Sequence, residues 1–438
     1  MEQSSTIFSF TASFYNTDKE VFDYEGGITV SATTAAANAA KPASIWRSKT
    51  FSILLTSSLF LTIGNKLYEI VLPLLMYELT HSSVPMATMR TAELLPNLLF
   101  AIFIGVIVDR VNKKKWVVSM VGAQVLLLFS LVFLFKSGSA SLALYYMLGF
   151  LLMTFNYGYF NAQVSLMKLS VSPEHLTSAN AKFTLVETLV SVMGPALSGL
   201  IFLLADLSDG IMITAFAYLL CLFLLSRLSL QETVETSGRG RFVHDLYEGW
   251  TAFRGNRSLW MISLFVVFLN CTMVVVSTTI IFHAKDVLHL SSSLLAIVLS
   301  ASGVGGLLGS LVINRLRFRI GLGMIFGLSA LLNSAAYAAL YLFASISALV
   351  VSLFFIGVAI SLYSTSMYTF RHEQTPTHLM GRISGITGTL FRAGMPLAMY
   401  ASGWMMMWWG TSVIFLGAAI WNAGVFLIYI RTHLWGIH

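Results

Sequence analysis

Twelve apolar stretches follow one another between residues 51 and 431. They run approximately 51–77, 86–108, 116–135, 141–163, 183–204 and 210–230. A second set runs approximately 259–282, 292–313, 322–343, 347–369, 383–408 and 411–431. Each has about the length that carries a helix across the roughly 30 Å hydrocarbon core of a bilayer, some 20 residues. In lipid every backbone N–H and C=O must be paired within the chain, so long apolar runs of this kind have one solution, a bundle of spanning helices. Composition closes the soluble alternative. Hydrophobic residues make up 57% of the chain and charged ones 10%, against about 25% charged in a water-soluble domain. The expected fold class is an all-α membrane protein with twelve transmembrane helices in two six-helix, pseudo-symmetric bundles.

Lysine and arginine set the orientation, because they are retained on the cytoplasmic side. Alternating passes leave 21 of the 26 on one face, only Lys136 and Lys285 on the other, and Lys66, Arg90 and Arg392 within the membrane. Both termini and the connector 231–258 are therefore expected in the cytoplasm. The same bias accounts for the net charge of +7 without nucleic acid as a partner. Trp46, Trp116, Trp260 and Trp435 fall at inner interfaces, and Trp408 and Trp409 at an outer one, as an aromatic belt requires.

The expected divisions are a polar, disordered cytoplasmic tail over 1–44, a six-helix bundle over 45–230, the connector 231–258 and a second bundle over 259–438. The tail is not read as a signal peptide, since it lacks a basic start and an apolar core. In the connector, Phe242, Leu246, Trp250 and Phe253 share one helical face, which predicts an amphipathic helix on the inner leaflet. Cys221 and Cys271 lie in apolar stretches and read as buried thiols.

The two sets echo each other. Gly105-Val106-Ile107-Val108-Asp109-Arg110-Val111-Asn112-Lys113-Lys114-Lys115 stands between the second and third stretches, and Ser310-Leu311-Val312-Ile313-Asn314-Arg315 between the eighth and ninth. Pro173-Glu174-His175-Leu176 answers to Pro376-Thr377-His378-Leu379 in the same way. Such duplication belongs to transporters that rock about a site between their halves. A carboxylate at Asp109 can cap a neighbouring helix or pair with a cation across the bundle. Bonds made in one conformation only bias the equilibrium by about 1–3 kcal/mol, so Gly105, Asp109 and Arg110 read as a gate. Asn314 and Arg315 form a weaker copy, because the amide replaces the acid.

The stretch Gly105 to Lys114 resembles the signature loop of the major facilitator superfamily, with Asn112 in place of its later glycine. Gly194-Pro195-Ala196-Leu197-Ser198-Gly199 resembles the Gly-Pro motif of its exporters. Within the superfamily, Leu79-Thr80-His81-Ser82-Ser83 and Met380-Gly381-Arg382-Ile383-Ser384-Gly385 are similar to turns of the branch that holds macrolide efflux pumps and enterobactin-type siderophore exporters. The resemblance covers roughly residues 45–431. It implies export, and a substrate cavity lined by the first, fourth, seventh and tenth helices. Asn65, Asn156, Tyr157, Asn270, Tyr363 and Met367 are the candidates to line it, and this mixture of aromatics, amides and Met suits bulky amphipathic cargo.

Charges inside the membrane cost at least about 2.5–3.5 kcal/mol each on insertion scales and mark function. A carboxylate in a dry bundle can bind and release a proton in each cycle. Glu69, Glu93 and Glu187 are the candidates for proton coupling, with Lys66, Arg90 and Arg392 as their buried partners. Lys66–Glu69 and Arg90–Glu93 also have the i,i+3 spacing of structural pairs within one helix. Relatives of this type carry an acid after the first-helix glycine, where this chain has Asn65 after Gly64.

No phosphate-binding G-x-x-x-x-G-K-[ST] motif is present. His283 and His289 stand alone, and no nucleophile–base–acid set stands out, so neither an enzyme, a cofactor nor a metal is expected. The expected function is secondary active export of a small amphipathic molecule, a drug-like compound or a siderophore, by proton antiport across a bacterial cytoplasmic membrane. The chain is expected to work as a monomer in the lipid bilayer. The rival readings are an importer or lipid flippase of the same fold, and a non-transporting sensor or partner subunit.

Overall fold

The computed structural model describes residues 48–139, 141–204, 207–229, 239–376 and 379–437. The tail 1–44 lies outside them. Within those residues the surroundings of Gly105, the side chain of Asp109 and most of the Gly194–Gly199 motif also lie outside the description.

Small polar residues start the helices where the apolar runs begin. The side chains of Ser48, Asn112, Asn256, Ser291 and Ser345 accept hydrogen bonds from Phe51, Lys115, Leu259, Leu294 and Ala348 N–H at 2.9–3.2 Å. Each satisfies a first-turn donor that lipid could not. Asn112, the departure from the signature loop, thus serves as the cap of the next helix.

Thirteen α-helices follow among the described residues: α1 Lys49–Thr80, α2 Ser83–Leu99, α3 Ala101–Arg110, α4 Lys113–Lys136, α5 Leu142–Ser170, α6 Leu176–Leu204, α7 Leu207–Ser226, α8 Arg239–Gly255, α9 Arg257–Asp286, α10 Ser292–Leu342, α11 Ile346–Gln374, α12 Met380–Leu390 and α13 Met395–Tyr429. Seven helical runs are individually long and apolar enough to cross a membrane.

Two of the seven are double. At about 1.5 Å per residue, the 51 residues of α10 would overshoot the bilayer more than twofold. Gly321 breaks the run at φ 78°, ψ 164°, a conformation open to glycine. The chain then folds back: Ile313 and Ile325, on opposite sides of the break, close on Leu362 in one cluster. Gly410, at φ 77°, ψ 174°, divides the second run in the same way, inside α13. Three further passes complete the set, two of them too polar or too sharply broken to register alone. They are α2 with α3, which bears Arg90 and Glu93, and α5, which bears Asn156, Asn161 and Gln163; the unbroken 29-residue α6 makes the third pass, part of it with side chains outside the description. Twelve passes result, as the apolar stretches require.

Ties at the helix ends show the alternation. Ser48 Oγ donates to the Ser170 carbonyl at 3.0 Å and Thr50 Oγ1 to that of Ser229 at 3.3 Å, so the start of α1 lies with the ends of α5 and α7. Asn256 Nδ2 donates to the Gln374 carbonyl at 3.1 Å, and Arg317 pairs with Glu373. The α8 helix is held by an ion pair from Glu248 to Arg382. Phe253 is fully buried against Trp250 and Trp260, so this end of the amphipathic face docks on protein. Phe242 and Leu246 side chains lie outside the described residues.

Two passes are interrupted part-way along their apolar stretches. Pro96 lacks the N–H of a helical link, and α2 ends three residues later at Leu99. Residues Phe391 to Gly394 form turns between α12 and α13, followed by Pro396. Asn270 of α9 braces this second break, donating to the Phe391 carbonyl at 3.0 Å and accepting from Tyr363 Oη at 2.8 Å. Backbone set free inside a membrane persists only when protein or water satisfies it.

Candidate functional site: a charge quartet, a sealed end and a bridging arginine

The i,i+3 pairs expected within α1 and α2 are both present. Lys66 Nζ lies 2.8 Å from Glu69, and Arg90 Nη1 lies 2.8 Å from Glu93. The tertiary structure adds the link between them, because the other guanidinium nitrogen of Arg90 pairs with Glu69. Four charges form one neutral chain, Lys66–Glu69–Arg90–Glu93, across two helices.

Their burial differs sharply. Glu93 is 0% exposed, whereas the Lys66 and Glu69 side chains are each 33% exposed. Both oxygens of Glu69 are held by cations. Glu93 offers one oxygen to Arg90, while its Oε1 is buried with no hydrogen-bond partner among the described residues. Glycines bring the neighbouring helices this close. A Cβ on Gly149 would lie 2.4 Å from Met89 Cε, and one on Gly194 would lie 3.0 Å from the stem of Lys66. Asn65, where an acid is expected, accepts a hydrogen bond from Tyr218 Oη.

Glu187 stands apart from this chain. It is accessible on α6 and feels the charge of Arg392. Arg392 lies at the α12–α13 break and donates from Nη1 to Asn97 Oδ1 of α2 at 3.4 Å.

The remaining cavity candidates are packed. Asn156 is 8% exposed, Tyr363 4% and Met367 5%. Tyr157 is half-buried and its carbonyl takes the Asn161 amide at 2.8 Å. Asn270 and Tyr363 hold the α12–α13 break as described. Arg110, Asn314 and Arg315 are exposed at the helix ends.

Sequence reasoning did not single out a further group where α1, α2, α9 and α13 meet, at the end opposite Ser48. Glu78 pairs with Lys285 at 2.8 Å, and Tyr77 Oη donates to Asp286 at 3.4 Å. Ser83 Oγ donates to the Gly403 carbonyl at 3.0 Å, and a Cβ on Gly403 would lie 2.6 Å from that of Ala87. These contacts seal the first six passes against the last six. A cavity of about 250 Å³, lined by His81, Asp286, Met406 and Thr411 among others, sits beside them. A signal existed: Glu78, Lys285 and Asp286 occupy the ends of the first helix of each set.

The seal is testable. Lys285→Glu places two acids face to face and is expected to favour the open end by about 1 kcal/mol, roughly fivefold in population. Impermeant maleimide should label Met406→Cys faster in that background, with Cys221 and Cys271 replaced by Ser. Adding Glu78→Lys should restore the slow rate. Equal labelling in all three proteins would remove the pair from the gate.

Comparison with known proteins agrees with this fold. The crystal structure of a mutant of the nucleoside transporter NupG superposes with a TM-score of 0.71 at 13% identity, covering 87% of this chain and 99% of that one. A bacterial homologue of the iron transporter ferroportin, in an inward-facing state, gives 0.67 at 16% identity, covering 89% and 100%. A bacterial homolog of the human lysosomal transporter Spinster, inward-facing and unoccupied, gives 0.66 at 13%, covering 88% and 96%. No curated protein sequence matches significantly. The family profile described as Major Facilitator Superfamily matches residues 54–398 and again 266–433. With twelve passes, a solved-structure likeness over most of its length and that match, the chain belongs to the major facilitator superfamily and is a multi-pass membrane transporter, not an enzyme.

Proposed function

We propose that this transporter exports a small amphipathic compound across the bacterial cytoplasmic membrane in exchange for protons. The first six and last six passes would act as two bodies that alternate access to a shared hollow. The excess of Lys and Arg at the Ser48 end supports placing that end in the cytoplasm. The sealed end then faces outward, and the conformation is the one that receives cargo from inside. The branch resemblance to macrolide and siderophore exporters supports the direction.

The observation that carries the reading is the quartet. Four charges at membrane depth are costly unless they serve a cycle. Glu93 has a buried oxygen with room for a proton, while Glu69 is engaged by two cations. Glu93 is therefore the exchanging acid and Glu69 the counter-ion that holds Arg90 when Glu93 is protonated. Asp109 and Arg110 bias the same alternation from the cytoplasmic end.

Everted vesicles test this directly. Addition of cargo should collapse a preformed pH gradient in wild-type vesicles. Glu93→Gln should abolish that response while cargo still binds. Full proton coupling in Glu93→Gln would assign the exchange elsewhere, and a silent wild type against a broad panel that includes siderophores would overturn antiport.

A further inference from the structure

Arg392 occupies an unusual position for a cation. It lies twelve residues beyond the start of α12, in the break before α13, inside the apolar stretch 383–408. A guanidinium there is expensive and needs either a partner or water. Among the described residues its side chain makes one hydrogen bond, a long one of 3.4 Å to Asn97. Arginine carries five N–H donors in a rigid fork. Among the described residues the other donors have no hydrogen-bond partner.

Its surroundings belong to the other set of passes. Asn97 comes from α2 just after Pro96, and Glu187 comes from α6. Arg392 and Glu187 are both accessible, and Asn97 is half-buried on α2. Three chemistries meet there: a fork of donors, an amide and a carboxylate too distant from the fork to form an ion pair.

Two structural features keep Arg392 in that place. Asn270 fixes the Phe391 carbonyl immediately before it, and Tyr363 fixes Asn270. On the other side, Gly394 allows close approach to α9, since a Cβ there would lie 2.7 Å from Cys271 Sγ. The turn is braced while the side chain it presents is loosely held. That is the arrangement of a binding group, positioned by its support and left available to a ligand.

We propose that Arg392 is the residue that recognises cargo, and that the cargo carries an anionic group which the guanidinium takes as a fork, with Glu187 as its competitor when the site is empty. Carboxylate, sulfonate and phosphate groups match the fork in geometry and charge. The amide of Asn97 contributes a donor to the same group. A purely cationic drug is disfavoured by Arg392, so the transported class narrows to amphipathic anions and zwitterions. This rests on the transporter reading above, but not on the direction of transport or on the coupling ion.

Naphthalene-1-sulfonate, which stays ionised and carries no proton, is a suitable probe, with naphthalene-1-sulfonamide as its neutral counterpart. Thermal unfolding of the full chain in nanodiscs reads binding. The sulfonate is expected to raise the melting temperature of the wild type, and the sulfonamide to leave it unchanged. Arg392→Gln should abolish the shift, Arg392→Lys should weaken apparent affinity about tenfold by losing the fork, and Glu187→Gln should strengthen it by removing the competitor. No shift with the sulfonate, or a shift that survives Arg392→Gln, overturns the proposal. The transporter reading fails separately. If cationic or neutral compounds collapse the pH gradient in everted vesicles and the sulfonate does nothing, export stands and the anion site falls. If the shift depends on Arg392 but no compound moves protons, the site stands and antiport falls.

Discussion

Replacing Arg90 with methionine is expected to cost about 3–5 kcal/mol of stability, the penalty for removing one member of a buried ion pair. The reason is that Arg90 serves two acids at once. It contacts Glu69 with one nitrogen and Glu93 with another, and its side chain is 9% exposed. Without it Glu93 stays fully buried, with no cation and with one oxygen already unpartnered. Glu69 keeps Lys66, so the loss falls mainly on Glu93. The double variant Arg90→Met with Glu93→Met removes both charges and should recover most of the stability, because hydrophobic replacements of a whole buried pair are often neutral. It should not recover proton exchange. Lys66→Met should cost far less, since that pair is one-third exposed and solvent screens it. Thermal unfolding in detergent, followed by tryptophan fluorescence, measures all three. An Arg90→Met protein that melts with the wild type would show that the quartet does not hold the first passes together.

Gly357→Val should be the other severe change, and it acts through shape alone. A Cβ on Gly357 would lie 1.9 Å from the Ser302 carbonyl oxygen, and a Cβ on Gly305 would lie 1.9 Å from that of Phe354. Gly309 meets Val358 and Ser361 one turn further along, at 2.9 Å. The first arm of α10 and α11 therefore touch backbone to backbone along a stripe of small residues, the packing that replaces the hydrophobic effect between helices in lipid. Backbone cannot rotate aside as a side chain can. Even one methyl must push the helices apart, and valine should cost about 3 kcal/mol or more. Gly424→Ala is the control, because nothing lies within 4 Å of a Cβ there. Gly357→Val should lower the melting temperature and the yield of folded protein, and Gly424→Ala should leave both unchanged. Equal behaviour of the two would mean that α10 and α11 are not in contact in the membrane.

Much of the candidate site was legible before folding was considered. Lys66, Glu69, Arg90 and Glu93 stand out because a charge in an apolar run is conspicuous, and the i,i+3 spacing names their partners. The bond from Arg90 to Glu69 joins residues 21 positions apart, so no local rule contains it. Asn270 and Tyr363 read as cavity walls because they are polar and lie on the expected helices. In the structure they hold each other and the Phe391 carbonyl, which follows from a helix break that the apolar pattern of 383–408 does not reveal. The seal between Glu78 and Lys285 left only a faint sequence signal for a related reason. Both residues sit at helix ends, where charges are ordinary, and only their meeting across the two sets makes them informative.

The amino-acid sequence alone determined the solvent, the number of passes and their alternation. Each follows from one-dimensional quantities: run length against bilayer thickness, and the distribution of cations among loops. It also determined which charges would need an explanation. The tertiary structure decided which of those charges meet, where helices break, and which end is closed. These depend on separations of a few ångströms between segments far apart in the chain, set by where glycines let helices touch, and no periodicity along the sequence encodes them.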